Sequence, residues 1–178
     1  EFTSLARRSP EINQRSGVSL RVSIANYETM VGNAFKRSLK LNENSAPRIS
    51  DLSSIIPSTT GKVEMESVEE GREGKVIDDL IKKAVLNTFG RYFSAREFES
   101  VLTRFEEGVM IETGTEVLSE AYAQKLPEMG NLKEMVQRIE KSDDPASIAS
   151  AIELILEGLH LNRRLNRDQS GGVIVYKG

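Results

Sequence analysis

The sequence predicts an all-α fold, and three observations carry that prediction. Apolar residues recur at three- and four-residue steps through most of the 178 positions, the spacing that lines one face of a helix. Helix-breaking and helix-starting residues punctuate those runs, among them Ser9-Pro10, Pro57, Gly108 and Pro145. Alternating, strand-like stretches are confined to a few residues near 58–66, 109–112 and 173–176.

The first 18 residues read as the frayed end of a helix followed by a loop, broken at Ser9-Pro10 and turned at Gly17. Ser16 or Ser19 then caps a long helix over about 19–41. Its stripe is Leu20, Ile24, Tyr27, Val31, Ala34, Phe35 and Leu39, and the spacing predicts that this stripe faces the core. A loop over 42–47 leads to a short helix at 49–56 that Pro57 stops, and residues 58–66 read as weakly extended. A second long helix is expected over about 67–90, with Val76, Ile77, Leu80, Ile81, Ala84, Val85 and Phe89 on one side.

Past Gly90 the periodicity changes, which places a soft boundary at 90–95. Helices follow around Phe98–Phe105, at 115–126, at 130–141 and at 145–167, with a short extended link at 109–112. Pro145 suits the first turn of the last helix, with Asp143 or Asp144 as its cap. The end of the chain reads as a flexible tail over 169–178, extended only at Val173–Tyr176. The expected organisation is a helical module over 1–90, a second over 91–168, and that tail.

Composition removes several chemistries. The chain has no Cys and one His, His160, so disulfides, thiolate catalysis and a Cys/His zinc site are excluded. No apolar run approaches the roughly 20 residues that span a bilayer, and the polar, basic start is unlike a secretory signal, so a cytoplasmic chain with no membrane partner is expected. Net charge is −3 but uneven. Residues 1–41 carry seven bases against three acids, residues 62–79 three bases against seven acids, and residues 160–178 four bases against one. Alternating sign suits polar contacts within an assembly better than a nucleic-acid surface, which needs one basic face.

No catalytic motif is complete. Gly61-Lys62-Val63 is the nearest approach to a phosphate-binding loop, but Ile56 stands where the first Gly belongs and Val63 where Ser or Thr belongs. It reads as a turn. Glu69-Glu70 and Asp78-Asp79 are neighbours on a helix and point apart, so they read as solvated faces rather than acid–base pairs. No residue of the chain is assigned a catalytic or metal-binding role.

The segment 15–37 is the most informative. Arg21 falls in the first turn of its helix, where a cation meets the positive end of the dipole at a cost of roughly 0.3–1 kcal/mol when exposed. A phosphate shared with the N–H groups of Ser19 and Leu20 would reverse that cost. The plainer alternative is that Arg21 pairs with Glu28 or another carboxylate, or simply reaches solvent.

The run Gly17-Val18-Ser19-Leu20-Arg21, followed by Ile24-Ala25-Asn26-Tyr27-Glu28, resembles the lid of magnesium-chelatase-type and MoxR-like AAA+ ATPases. The strings Thr60–Glu64 and Glu157–Asn166 are similar to the C-terminal part of proteins described as magnesium chelatase ATPase subunits. The resemblance implies a lid plus helical extension, with the sensor-2 role on Arg21; by position Ser19 and Arg15 are the further candidates for the nucleotide phosphate, Arg15 reading alternatively as a solvated loop arginine. It implies ATP and Mg2+ as cofactors of a parent protein, since the Walker motifs are not in this chain. Its partners would be its own AAA+ core, the neighbouring subunits of a ring, and a protein with an integrin-like metal-binding domain. The parent would couple ATP hydrolysis to remodelling of a partner.

An alternative of another class is a non-catalytic helical interaction module that docks through the basic end near Arg163 and Arg167. There Arg163, Arg164 and Arg167 read first as cations at a helix C-terminus. His160 reads as a structural histidine with one satisfied nitrogen. Tyr27 and Tyr122 read as core residues.

Overall fold

A computed structural model describes residues 1–66 and 71–178 of the chain. The fold is mostly helical, with a small antiparallel sheet that the sequence reading did not anticipate. The helices are α1 (Phe2–Ala6), α2 (Leu20–Leu41), α3 (Ile55–Thr59), α4 (Glu73–Tyr92), α5 (Glu99–Glu106), α6 (Ser119–Lys125), α7 (Leu132–Ile139) and α8 (Pro145–Leu161). The strands are β1 (Ile111–Gly114), β2 (Asn166–Ser170) and β3 (Val173–Lys177). No helix among the described residues is long and apolar enough to cross a membrane.

Helix α8 is the axis of the fold. Asp144 caps it by accepting the Ser147 N–H at 3.2 Å, and Pro145 fills the first turn where no N–H is needed. It is apolar almost all round: Ala149, Ile152, Ile155, Leu156 and Leu159 are fully buried, as expected of a helix with neighbours on every side. Helices α4, α6 and α7 pack along it. The main core joins it to Phe89, Phe93, Phe98, Phe105, Tyr122, Met129 and Tyr176.

The tail is where the all-α reading fails. Helix α8 stops at Leu161 rather than 167, Arg163 turns into left-handed backbone at φ 60°, and the remaining residues form a hairpin. Gly171 and Gly172, read from sequence as flexibility, both take positive φ (58° and 85°), the backbone that a tight right-twisting hairpin turn requires. The β-branched run Val173–Val175 then alternates sides, so that Ile174 and Tyr176 are buried. The strand order is β1-β3-β2, with Ile111 opposite Tyr176 and Asn166 opposite Lys177. The expected link at 109–112 is thus partly the strand β1.

Other boundaries move for local reasons. Pro57 does not stop a helix: a 3-10 turn at Ile49–Ser54 passes into α3, and Pro57 sits in its first turn. The N-terminal segment is not frayed, because Ala6, Ile12 and Val18 are buried with Val22, Val76 and Leu80, and Ile12 bridges Met65. The early part of the second long helix, with Glu69-Glu70, lies outside the described residues; its described part begins at Glu73.

Candidate functional site

Helix α2 is built inside out. Ser19 caps it by accepting the Arg21 N–H at 3.0 Å, and Asn42 closes it in left-handed backbone at φ 53°. The apolar stripe that periodicity assigns to the core points to solvent instead. Leu20, Ile24, Tyr27, Val31, Phe35 and Leu39 are between 36% and 67% exposed, and of the expected stripe only Ala34 is buried. Tyr27 is therefore not a core residue, while Tyr122 is.

The inward face mixes Val22, Met30 and Ala34 with polar side chains, and the polar ones have partners. Asn26 donates its amide to the Thr59 hydroxyl at 2.8 Å, and Thr29 donates to Ser58 at 3.2 Å. Asn33 donates to Asp51 Oδ1 at 3.0 Å. Arg37 donates to Asp51 Oδ2 at 3.0 Å, to Glu43 Oε1 at 2.8 Å and to the Ala46 carbonyl at 2.7 Å. A buried polar group costs little only when it is hydrogen-bonded, and these bonds orient the helix against its own hydrophobicity.

The same network crosses to the other half of the chain. Glu43 Oε1 also accepts from Arg48 Nη2 at 2.6 Å, and Glu43 Oε2 accepts the Ser119 N–H at 2.7 Å. The Arg48 side chain is wholly out of solvent. It donates to the Val117 carbonyl at 2.9 Å and to the Ser119 hydroxyl, and lies 4.9 Å over the Tyr122 ring. Tyr122 donates to Glu153 Oε1 at 2.8 Å, and Glu153 Oε2 takes the Ser50 N–H at 2.8 Å. Burial, then the Glu153 charge, pushes the Tyr122 hydroxyl well above its usual value. The Arg48 Nε–H is buried without a hydrogen-bond partner, while the other donors named here bond within the protein.

The sequence-predicted site residues lie at the start of α2. Arg21, Ser19 and Arg15 are all exposed. Among the described residues the Arg21 and Arg15 guanidinium groups have no hydrogen bond or ion pair, and Glu28 does not hold Arg21. Arg15 uses its N–H to cap on Asn13 Oδ1 at 2.9 Å, and no contact joins it to Arg21.

The basic C-terminal end is not a free patch. Arg167 pairs with Glu157 at 3.0 Å and Arg164 with Glu99 at 2.8 Å. Arg167 lies beyond α8, whose last carbonyls at His160 and Leu159 accept the backbone N–H groups of Arg163 at 2.8 Å and Arg164 at 2.9 Å. Glu157 also accepts from Tyr176 at 2.5 Å, and burial followed by the Glu157 charge raises that tyrosine too. His160 Nδ1 lies 3.0 Å from the Leu165 carbonyl, the structural role expected.

The resemblance places ATP and Mg2+ on Walker motifs outside this chain, and the Gly61-Lys62 segment is not a phosphate loop. Gly61-Lys62 is a turn closed by the Lys62 N–H on the Thr59 carbonyl at 2.9 Å, and the Lys62 amine is bound to the Ser58 carbonyl. No cluster of three metal-ligating side chains occurs among the described residues. Asp78 is occupied by Lys82 at 2.5 Å one turn on.

Sequence reasoning missed the bare face of α2 because period alone cannot tell which way a stripe points. The signal that could have found it is the opposite face, where Asn26, Asn33 and Arg37 recur with helical spacing, unusual on a helix exposed to water on its polar side. No known protein family, curated protein or solved structure matches this chain.

Proposed function

We propose that this chain is a helical docking module that binds another protein through the outer face of α2. One observation carries this reading: six large apolar side chains stand in a row in solvent while Asn26, Asn33 and Arg37 of the same helix turn inward and are hydrogen-bonded. Using ordinary exposed areas for such side chains, the row presents on the order of 700 Å². Monomeric proteins seldom leave more than a few hundred Å² of contiguous apolar surface bare, and larger patches mark interaction sites. The docking surface proposed is thus α2 rather than the basic end near 163–167, where Arg164 and Arg167 already pair with Glu99 and Glu157.

The test separates docking from core packing. Tyr27→Lys and Phe35→Lys leave the unfolding free energy within about 0.5 kcal/mol of the parent, as surface changes do. A loss of several kcal/mol on either substitution would show that these residues support the fold, and would remove the docking reading.

A second reading rests on Arg21. As the lid of a magnesium-chelatase-type or MoxR-like AAA+ ATPase, α2 would lay its apolar face on an ATPase core lying elsewhere in the protein. Arg21, unpaired beside that face, would be left to meet a phosphate held by the core. Arg21→Ala in a protein carrying that core, with nucleotide affinity and turnover both unchanged, eliminates this reading.

A further inference from the structure

We infer that the occupant of the α2 face is a second copy of this chain, with the two α2 helices packed antiparallel across a two-fold axis; this rests on the docking reading above. The row is disposed symmetrically about a point between Thr29 and Met30, one residue before the helix midpoint. Leu20 lies as far before that point as Leu39 lies beyond it, Ile24 matches Phe35, and Tyr27 matches Val31 to within one residue. A two-fold axis at that point therefore sets leucine against leucine at both ends and aromatic or β-branched side chains against each other between them. Such a self-complementary patch is what a closed dimer requires.

Gly32 supports the same register. It sits within α2, where glycine weakens a helix, and a side chain there would meet nothing within 4 Å. Nothing inside the chain explains it. In the antiparallel pair Gly32 of each copy falls opposite Tyr27 of the other, and the missing side chain leaves room for the ring.

The area is sufficient. A stable interface buries about 800 Å² per partner, and the row supplies on the order of 700 Å² before its rim is counted. The rim sets a distinguishing sign. Arg21, Glu28 and Lys36 are exposed and unpaired, two cations against one acid, so two copies bring a net like charge together. Salt screens that repulsion, and self-association strengthens as salt is raised. A partner helix with an acidic rim would bind the same face more weakly in salt.

The chain has no cysteine, which makes the register directly testable. Sedimentation over a concentration series is expected to show a monomer–dimer equilibrium that tightens with salt. Phe35→Lys weakens it by at least about tenfold, as loss of a central anchor does. Under mild oxidation Leu20→Cys mixed with Leu39→Cys gives a disulfide-linked dimer, whereas Leu20→Cys alone does not. A chain that stays monomeric to the highest attainable concentration overturns the inference, as does a dimer indifferent to Phe35→Lys or a ready Leu20→Cys homodimer. A monomer whose unfolding free energy is untouched by Phe35→Lys leaves the docking reading standing with another partner. A large stability loss on that substitution sinks both.

Discussion

The ring of Phe89 fills the space that a side chain at Gly158 would need: a Cβ there would come within 2.2 Å of a ring carbon. Helices α4 and α8 approach each other through this one missing side chain. Gly158→Ala forces the ring or the helices apart and is expected to cost about 1–3 kcal/mol, the usual range for overpacking. Urea denaturation reads the loss, and an unchanged midpoint would mean the helices can separate freely at this point.

The Arg48 network is expected to behave as a unit. With its side chain fully buried between Glu43 and Tyr122, Arg48→Met strips Glu43 of one cation and leaves the Val117 carbonyl without its donor. Breaking one partner out of a buried pair costs about 3–5 kcal/mol. The decrease should be seen equally by far-ultraviolet dichroism and tyrosine fluorescence, because the network spans both halves of the chain. A cost below about 1 kcal/mol would show that the charges are solvated in solution.

In α2 the ordinary ranking of residues should invert. Asn26→Ala orphans the buried Thr59 hydroxyl and is expected to cost about 1–3 kcal/mol. Phe35→Ala, which in a core would cost about 3–5 kcal/mol, should fall within about 0.5 kcal/mol of zero, since the ring is 56% exposed. Thermal unfolding of the two variants side by side, at a concentration where the chain is monomeric, decides the matter.

Alkali should unfold the protein through its buried phenols. Tyr122 and Tyr176 both have their hydroxyls raised above the ordinary 10.0, first by burial and then by the carboxylates they bond, Glu153 and Glu157. An acid whose folded value is raised keeps its proton in the native state while the unfolded chain loses it. Stability from these groups is therefore complete below pH 10 and declines as pH rises above it. Phenolate absorbance from these two rings should appear together with loss of helical signal, and Tyr176→Phe should make the alkaline limb shallower. Ionisation of both rings in a chain that remains folded would contradict this.

Acid acts at a different place. Glu97 is held below its ordinary 4.5 by the Ser94 N–H, which it accepts at 2.6 Å, and then by Arg138. A carboxyl with a lowered folded value stabilises above its unfolded value and loses that contribution as pH falls through the folded one. Glu97→Gln should flatten the acid limb of stability below pH 4.5, seen as a smaller drop in Tm between neutral and acid solution.

Helix positions were legible where sequence carried both a period and a cap. Helix α8 shows this at its start, where Asp144 and Pro145 fix the first turn, and α4 shows it along its Val76–Phe89 stripe, which is buried as read except for the half-buried Ala84. What period cannot supply is direction. The stripe of α2 has the spacing of a core face, and it is turned outward by the burial of Val22, Met30 and Ala34 together with the bonds of Asn26, Asn33 and Arg37 to partners 33, 18 and 14 residues away. The sheet was hidden for a related reason: β1 has four residues, and its partner lies about 60 residues on, as in the pairing of Thr113 with Ile174. Of the expected site, Arg21, Ser19 and Arg15 lie exposed at the start of α2, and the row beside them, assigned to the interior, is exposed too.

The strand order β1-β3-β2 has a consequence for how the chain matures. The middle strand comes after both of its neighbours in the sequence, so a growing polypeptide exposes β1 and then β2 with nothing to pair against. The β2–β3 hairpin closes locally, but β1 must wait for a loop of about 60 residues to shut, and such non-local pairing is slow. Until Val173–Lys177 have been made and docked, Ile111 remains an orphan edge that is open to aggregation.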